Sequence, residues 1–375
     1  MWDLGLLFPD NAAWEKERTA VENSLPGIAR LKGTLGKNAV SLQVALSRIS
    51  QARQQLRRLH AYAQLKADED TSIAENQARL QSITNLQGRF AEAVAFLNPE
   101  ILALGRSQIE AFEKGDPALG PYRRQLEIIL RRAPHTLGPE AEGVVAATVV
   151  MRQQPDNVHN LLTLADMPWP TLEVQGRAVK LEPEAYYTVL FNSDREVRRK
   201  AYDAYLATLS SYQRTLGAVL AAYLSGPAFE AKVRHYPSSL ALMVSDDVMP
   251  EEPFRTLTAE TNKAIPILNR SMNLRKQLLG VDELRFYDLY VPLVTDKRQF
   301  QLSDGEDLIL KAVAPLGEDY VQGLASGFRN NVMHATVQPN KAAGAYTNDE
   351  AYGVPAYVLT SFSGTYDSVS AVAHE

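Results

Sequence analysis

The sequence of 375 residues contains no cysteine. Disulfide frameworks, thiol nucleophiles and zinc sites built from thiolates are therefore excluded. A chain of this length can bury a sizeable core without covalent cross-links, so its fold does not need disulfides. The lack of cysteine also fits a reducing compartment, and we expect a cytoplasmic protein.

The sequence also lacks any long, uncharged apolar run. No stretch of about 18 apolar residues is present, and residues 1–4 lack the basic start of a signal peptide. Lys and Arg number 39 against 44 Asp and Glu, which gives a net charge of −5. A nucleic-acid-binding protein would be expected to carry a basic stripe. We therefore expect a soluble, globular protein that binds neither nucleic acid nor membranes, and no pattern indicates its oligomeric state.

Most of what the sequence does contain has helical spacing. Apolar residues recur in steps of three and four from Leu42 to Ala63, and a second such run extends from Leu80 to Leu97. Each run indicates an amphipathic helix. The acidic residues 68–70 are interpreted as a turn and the start of the second helix, where negative charge favours the helix dipole. Together these segments predict an antiparallel helical hairpin in a mainly α protein.

Short β segments interrupt the helical pattern in two places. Alternating residues on both sides of Gln175-Gly176 predict a small β-hairpin within residues 167–181. Nearer the C-terminus, turn signals separate three β candidates, at residues 331–337, 343–347 and 356–362.

Histidines are the first candidates for chemistry in a chain without cysteine. Five of the six have no His or Glu at a metal-ligand spacing, so we expect structural roles for them. These five are His60, His135, His159, His235 and His334.

The sixth histidine lies in the pair His374-Glu375, on a helix that we expect to open after Thr365 or Asp367. Zinc hydrolases of the zincin kind carry His-Glu-x-x-His on a helix, where two histidines bind zinc and the Glu acts as general base. Only the first two letters of that motif are present, and an isolated His-Glu pair carries little information. The sequence ends inside this apolar helix, which we interpret as a truncation.

Three segments lead directly into this pair: residues 341–346 (KAAGAY), 352–359 (YGVPAYVL) and 364–375 (GTYDSVSAVAHE). Together they resemble the oligoendopeptidase F family of zinc peptidases. Further similarity to that family lies at residues 286–293 (FYDLYVPL), 193–202 (SDREVRRKAY) and 122–137, and more weakly at Asp3-Leu4 and Trp14. The resemblance thus covers essentially the whole chain.

This resemblance implies a mainly α, multi-helical fold of the zincin type, with a small β-hairpin and a short β-sheet near the active site. It implies a metalloendopeptidase that binds one Zn²⁺ per active site and hydrolyses short oligopeptides. His374 would be the first metal ligand, and Glu375 the general base that takes a proton from the metal-activated water. Gly344, Tyr346 and Tyr352 are candidates for binding the peptide, which we expect to lie along an edge strand.

The same resemblance divides the chain into three regions. Residues 1–110 form an N-terminal helical hairpin region, residues 111–182 an N-terminal lobe with the β-hairpin, and residues 183–375 a catalytic domain that is incomplete at its C-terminus. His334 stands where the family commonly has an Asp, a departure that concerns substrate preference more than activity.

The family's second zinc-binding His and a downstream Glu ligand are absent from these residues. Catalytic zinc sites use three protein ligands and a water, so we expect no activity from the 375 residues alone. The alternative is a non-catalytic peptide-binding or helical interaction protein, a degenerate fragment of such a peptidase.

Overall fold

The amino-terminal helices follow the predicted apolar spacing with one exception: the run from Leu80 to Leu97 is not a single helix, since one helix ends at Ala93 and the next begins at Leu97. The computed structural model describes residues 2–245, 247–294, 298–342 and 344–375. Leu42, Leu46 and Leu59 are buried along one side of the second helix, and Asn38 caps its start. The helices of this part are α1 (Asn11–Ala29), α2 (Ala39–Glu69), α3 (Ala74–Ala93), α4 (Leu97–Gly115) and α5 (Arg123–Arg131). Helices α2 and α3 pack against each other across the turn at residues 70–73, which confirms the helical hairpin.

The acidic residues 68–70 do not begin the second helix of this hairpin, so that interpretation was wrong. Asp68 and Glu69 are instead the last residues of α2, where a negative charge opposes the helix dipole. Hydrogen bonds compensate both carboxylates. The Tyr346 hydroxyl donates to Asp68 Oδ2 at 2.5 Å, and the Trp2 indole donates to Glu69 Oε1 at 2.7 Å.

The middle of the chain, residues 131–296, forms a compact unit of its own. Its β-hairpin is the predicted one: strands β1 (Thr171–Val174) and β2 (Arg177–Lys180) pair antiparallel across Gln175-Gly176. Both turn residues have positive φ, 52° and 76°, as a two-residue hairpin turn of the I′ type requires. The helices of this unit are α6 (Pro139–Ala147), α7 (Val149–Asn160), α8 (Pro183–Leu190), α9 (Arg195–Ser211), α10 (Gln213–Val233), α11 (Ser239–Ser245) and α12 (Glu251–Leu279).

Two of the segments that carry the family resemblance meet in this unit at a buried ion network. Asp288 is fully buried and accepts hydrogen bonds from Nη2 of both Arg195 and Arg198, each at 2.9 Å. Burial alone would raise the pKa of Asp288. The hydrogen bonds from the two arginines and from the backbone N–H of Arg285 outweigh burial and hold this pKa below its ordinary value. These motif residues therefore fasten α9 to the segment that follows α12.

Residues 297–375 join residues 1–130 in a second compact unit. Its three-stranded sheet has β5 (Tyr357–Leu359) in the centre, parallel to β3 (Met333–His334) and antiparallel to β4 (Tyr346–Asn348). Strands β3 and β5 lie within the predicted candidates at residues 331–337 and 356–362, whereas β4 extends one residue beyond the candidate at residues 343–347, to Asn348. Ala343, where that candidate begins, is outside the described residues. The helices of this part are α13 (Leu302–Ala312), α14 (Glu318–Arg329) and α15 (Tyr366–His374).

The central strand of this sheet alternates between two faces. Tyr357 and Leu359 are 1% and 0% exposed and belong to the same buried core as α2. Val358, between them, faces the opposite way. The register places Met333 of β3 and Thr347 of β4 beside Val358. The sheet therefore has a core face and an outer face, and Met333, Val358 and Thr347 form one row on the outer face.

The ammonium of Lys341 connects the segments around this short sheet. Its Nζ donates to three backbone oxygens, those of His334 (2.8 Å), Thr336 (2.9 Å) and Thr360 (2.5 Å). Burial lowers the pKa of Lys341 to about 8. Strands of two or three residues form few hydrogen bonds with each other. The ammonium of Lys341 adds three, to backbone oxygens at the ends of β3 and β5.

The mainly α fold with a β-hairpin and a short sheet is confirmed. The predicted domain boundaries at residues 110 and 182 stay a prediction, because compact units and family domains divide a chain by different criteria. Among the described helices, none combines the length and the apolar character needed to cross a membrane.

We expect Asp288→Ala to lower the free energy of unfolding by about 3 kcal/mol, because it leaves the buried guanidinium of Arg198 without its carboxylate. Asp203→Ala is the matched control: Asp203 pairs with Arg199 at 3.1 Å, but both side chains are exposed. That exposed pair is worth at most about 0.5 kcal/mol. Urea unfolding followed by circular dichroism measures both variants. Equal losses for the two variants would contradict the structural role of Asp288.

We also expect the stability to fall in mild acid because of His334. This side chain is fully buried, and neither of its ring nitrogens has a hydrogen-bond partner within the described part of the chain. Burial, together with the nearby charge of Lys341, lowers the pKa of His334 to about 4. An unfolded histidine titrates near 6.5. The unfolded state therefore binds more protons between pH 6.5 and 4, and stability is lost as the pH falls through this window.

Between pH 8 and pH 5 this histidine should cost about 2 kcal/mol of unfolding free energy. Urea unfolding at the two pH values, for the wild type and for His334→Leu, isolates this contribution. The exposed His159 provides the control, since His159→Leu should keep the wild-type pH dependence. An unchanged pH dependence in His334→Leu would show that His334 does not cause the acid sensitivity.

Candidate functional site

Helix α15 carries the His-Glu pair at its C-terminal end. Thr365, one of the two predicted caps, is the N-cap, and its side chain accepts a backbone hydrogen bond at 3.2 Å. Val369 and Val372 are buried, so one side of this short helix is fixed by packing. His374 is the last residue of the helix and is exposed, and Glu375 follows it, half-buried.

Gly364 fixes the point at which α15 begins. Its φ of 77° lies in the left-handed region that favours glycine. A Cβ at this position would lie 3.0 Å from Gln299 Oε1 and 3.2 Å from the backbone oxygen of Phe300. The backbone N–H of Phe300 donates to the Gly364 oxygen at 2.9 Å. The start of α15 is therefore held against the segment that precedes α13, where a side chain at position 364 would strain the backbone and crowd the Phe300 oxygen.

The strand β4 contacts the general-base candidate directly. Thr347 Oγ1 lies 3.0 Å from Glu375 Oε2 and 2.9 Å from the backbone oxygen of Glu375. In the described sheet, β4 pairs with β5 on one side and is an edge strand on the other. An extended peptide that added to this edge would therefore run beside the Glu375 carboxylate.

The three predicted substrate-binding residues differ in their surroundings. Gly344 has a φ of 89° and lies two residues before β4. Tyr346 lies in β4, and burial together with its hydrogen bond to Asp68 raises its pKa above the ordinary value. Its hydroxyl is therefore engaged with α2, although its backbone remains on the edge strand. Tyr352, in the connection from β4 to β5, is 83% exposed.

Two of the histidines expected to be structural have specific partners. His60 Nδ1 lies 2.7 Å from Glu350 Oε2. His135 Nδ1 lies 2.8 Å from the backbone oxygen of Arg234, and its ring stacks on Tyr236 with centroids 3.6 Å apart. Both are held by protein groups, as expected for structural histidines.

The described residues do not complete a metal site. Among them, no group of three or more His, Asp or Glu side chains is arranged to hold a metal ion. His374 offers one imidazole, whereas a catalytic zinc site uses three protein ligands. The described residues therefore supply only part of the ligands that a catalytic zinc site needs.

Thr347 is the site residue that sequence reasoning missed. Its place beside Tyr346 in a β candidate shows that the two side chains face opposite ways. That alternation could have marked Thr347 as an outward residue. Its contact with Glu375 could not be found in this way, because it depends on how α15 packs beside the sheet.

Two family models match the chain. The model described as Oligopeptidase F matches residues 100–168, and the model described as Peptidase family M3 matches residues 189–375. Oligopeptidase PepF of Bacillus subtilis is 31% identical over 376 aligned residues, which cover 100% of this chain and 56% of that protein. Group B oligopeptidase PepB of Streptococcus agalactiae is 28% identical, with 100% of this chain and 62% of that protein covered.

Solved structures give the same result. A crystal structure of a peptidase from Chlamydophila abortus has a TM-score of 0.85 and 27% identity, and the match covers 100% of this chain and 63% of that one. Oligoendopeptidase F from Enterococcus faecium has a TM-score of 0.65 and 30% identity, with 85% and 61% covered. The chain thus spans 56% to 63% of the length of these relatives. By its motifs, its sequence relatives and its fold, the chain belongs to the oligoendopeptidase F family of M3 peptidases.

Proposed function

We propose that this chain carries part of the active site of a zinc-dependent metalloendopeptidase that hydrolyses short oligopeptides. The observation that supports this best is the contact between Thr347 on the edge strand and Glu375 after α15, with 3.0 Å between Oγ1 and Oε2. It brings a strand edge that can bind an extended peptide next to a carboxylate that can accept a proton. Neither the composition nor the fold alone would distinguish a peptidase from a helical binding protein.

His374 and Glu375 have different roles in this proposal. His374 is the first of the zinc ligands, and the remaining ligands come from polypeptide other than the described residues. Zinc, when bound, would lower the pKa of a water molecule and polarise the scissile carbonyl. Glu375 is the general base: its carboxylate accepts the proton of the attacking water and passes it to the leaving amine.

The peptide lies along β4 in an extended conformation, as an added strand. Gly344, two residues before that strand, and Tyr346, its first residue, are proposed to contact the peptide. The N–H of Val358 donates to the Val332 oxygen, so the backbone groups of Leu359 face β4 and pair with those of Tyr346. The outward N–H and C=O of β4 are therefore those of Thr347, and they are the proposed partners of the peptide backbone. Tyr352, with its largely exposed ring, is the proposed contact for a substrate side chain. We further propose that the protein acts in the cytoplasm and has no nucleic-acid partner, in keeping with the absence of cysteine and the net charge of −5.

A second candidate function has one observation in its favour. Because the described residues lack three metal-binding side chains in one place, the 375-residue chain could serve as a non-catalytic peptide-binding protein. The two functions make different predictions for zinc and for Glu375.

We expect Glu375→Gln to keep the zinc content of the intact protein, the polypeptide that contains residues 1–375 and the remaining ligands. The same substitution should lower peptide hydrolysis by about 10³-fold, because an amide cannot accept the proton that a general base must take. Zinc is measured by elemental analysis and turnover with an internally quenched peptide. Glu92→Gln is the matched control, since Glu92 is an exposed residue of α3 and its substitution should leave turnover unchanged. Wild-type turnover in Glu375→Gln would refute the role of Glu375.

The 375-residue chain alone should neither bind zinc tightly in a 1:1 ratio nor hydrolyse peptides. Equilibrium dialysis with zinc, followed by the same peptide assay, tests this expectation. Stoichiometric tight binding would contradict the incomplete donor set.

A further inference from the structure

Lys341 is anchored at both its backbone and its side chain. The backbone on either side of it is fixed to the end of α2 and the turn that follows. The N–H of Ala342 donates to the Asp68 oxygen at 3.0 Å, and the N–H of Thr71 donates to the Asn340 oxygen at 2.7 Å. The ammonium binds oxygens at the ends of β3 and β5. Lys341 therefore joins α2 to two strands of the sheet.

The three oxygens around the ammonium of Lys341 call for a positive charge. Each carbonyl oxygen carries a partial negative charge, so three that converge on one point repel one another. An ammonium offers exactly the matching chemistry, three N–H donors and no acceptor. All three partners, the oxygens of His334, Thr336 and Thr360, are backbone groups. An uncharged side chain of the same length would leave these oxygens facing one another without donors.

The segment from β5 to α15 runs past this ammonium. The N–H of Thr360 donates to the His334 oxygen at 3.1 Å, and the N–H of Phe362 donates to the Ala335 oxygen at 2.9 Å. These bonds continue the pairing with β3 beyond the end of β5. Lys341 binds the oxygen of Thr360 and thus holds this segment where it leaves the sheet.

Both elements of the candidate site begin close to Lys341 in the chain. Strand β4 begins five residues after Lys341, and α15 begins six residues after Thr360. The 3.0 Å between Thr347 Oγ1 and Glu375 Oε2 joins these two elements. This distance therefore depends on how the sheet is held beside α15.

We propose that Lys341 is a positioning residue of the peptidase site: its ammonium holds the sheet beside α15, at the distance that brings Thr347 to Glu375. The proposal rests on the proposed peptidase function and adds a residue that acts on the reaction without contacting the substrate. A peptide on β4 meets the Glu375 carboxylate only while the sheet keeps this position. Loss of the ammonium leaves the zinc ligand of α15 in place, because the buried Val369 and Val372 fix that helix by packing.

Lys341→Met keeps the length of the side chain and removes its charge and its donors. In the zinc-loaded intact protein it should lower kcat about tenfold or more, because a displacement of about 1 Å from the reactive geometry can cost about 100-fold. KM should change by less than about twofold, since the peptide moves together with β4. Turnover is measured with an internally quenched peptide and zinc by elemental analysis.

Lys311→Met is the matched control for this substitution. Lys311 is an exposed lysine in the last turn of α13, so its loss should leave kcat unchanged. A wild-type kcat in Lys341→Met would overturn the proposal. Loss of the fold or of the zinc in that variant would also overturn it, because Lys341 would then serve the structure as a whole.

Added propylammonium gives a readout that a merely structural role would not move. Lys341→Ala removes three carbon atoms and the ammonium nitrogen, which propylammonium replaces atom for atom. Millimolar propylammonium should therefore raise kcat of Lys341→Ala at least about threefold. Propanol has the same length but no charge, so it should not restore turnover. Equal effects of the two compounds, or no effect of either, would overturn the role of the ammonium.

Hydrogen exchange separates this inference from the proposed function. In the 375-residue chain, Lys341→Met should speed the exchange of the N–H groups of Thr360 and Phe362 about tenfold, and Lys311→Met should not. If exchange rises but the wild-type intact protein cleaves no peptide, the peptidase function fails and Lys341 still holds the sheet beside α15. If the wild type cleaves peptides while Lys341→Met changes neither exchange nor kcat, the positioning role is refuted and the peptidase function stands.

Discussion

The alternation of side chains along one short strand determines the arrangement of the candidate site. Because Tyr357 and Leu359 are buried with α2, Val358 must face away from that core. The strand register then places Met333 and Thr347 on the same outer face. A slip of one residue would turn this row into the core and move Thr347 away from Glu375. The burial of two apolar residues thus positions a polar contact on the other side of the sheet.

The motifs shared with the family divide into residues that hold the fold and residues that carry the chemistry. Asp288, Lys341 and Gly364 belong to the first group. Asp288 pairs with two arginines, Lys341 donates to three backbone oxygens, and Gly364 adopts a positive φ that favours glycine. His374 and Glu375 are the candidates for the second. Each of these structural residues joins two segments of the chain. The joint depends on directed hydrogen bonds or on a particular backbone angle, which apolar packing alone does not provide.

Local patterns were sufficient to predict much of the fold. The helical hairpin, the turn at Gln175-Gly176 and the cap at Thr365 each depend on residues close together in the sequence, and all three are present. The predictions failed where partners are distant. The carboxylates of Asp68 and Glu69 tolerate a helix C-terminus because Tyr346 and Trp2 donate to them. The contact of Thr347 with Glu375 likewise arises from tertiary packing, which periodicity does not encode.

The unit that contains the candidate site is built from the two ends of the chain, with residues 131–296 between them. On the ribosome, the apolar side of α2 therefore emerges long before Tyr357 and Leu359 are synthesised. At roughly 5–20 residues per second, the interval lasts on the order of fifteen to sixty seconds. During that time α1 and α3 already pack on α2, and the part of this core that Tyr357 and Leu359 complete stays open to solvent. The order of synthesis therefore means that this unit can complete its core only after residues 131–296 have been made.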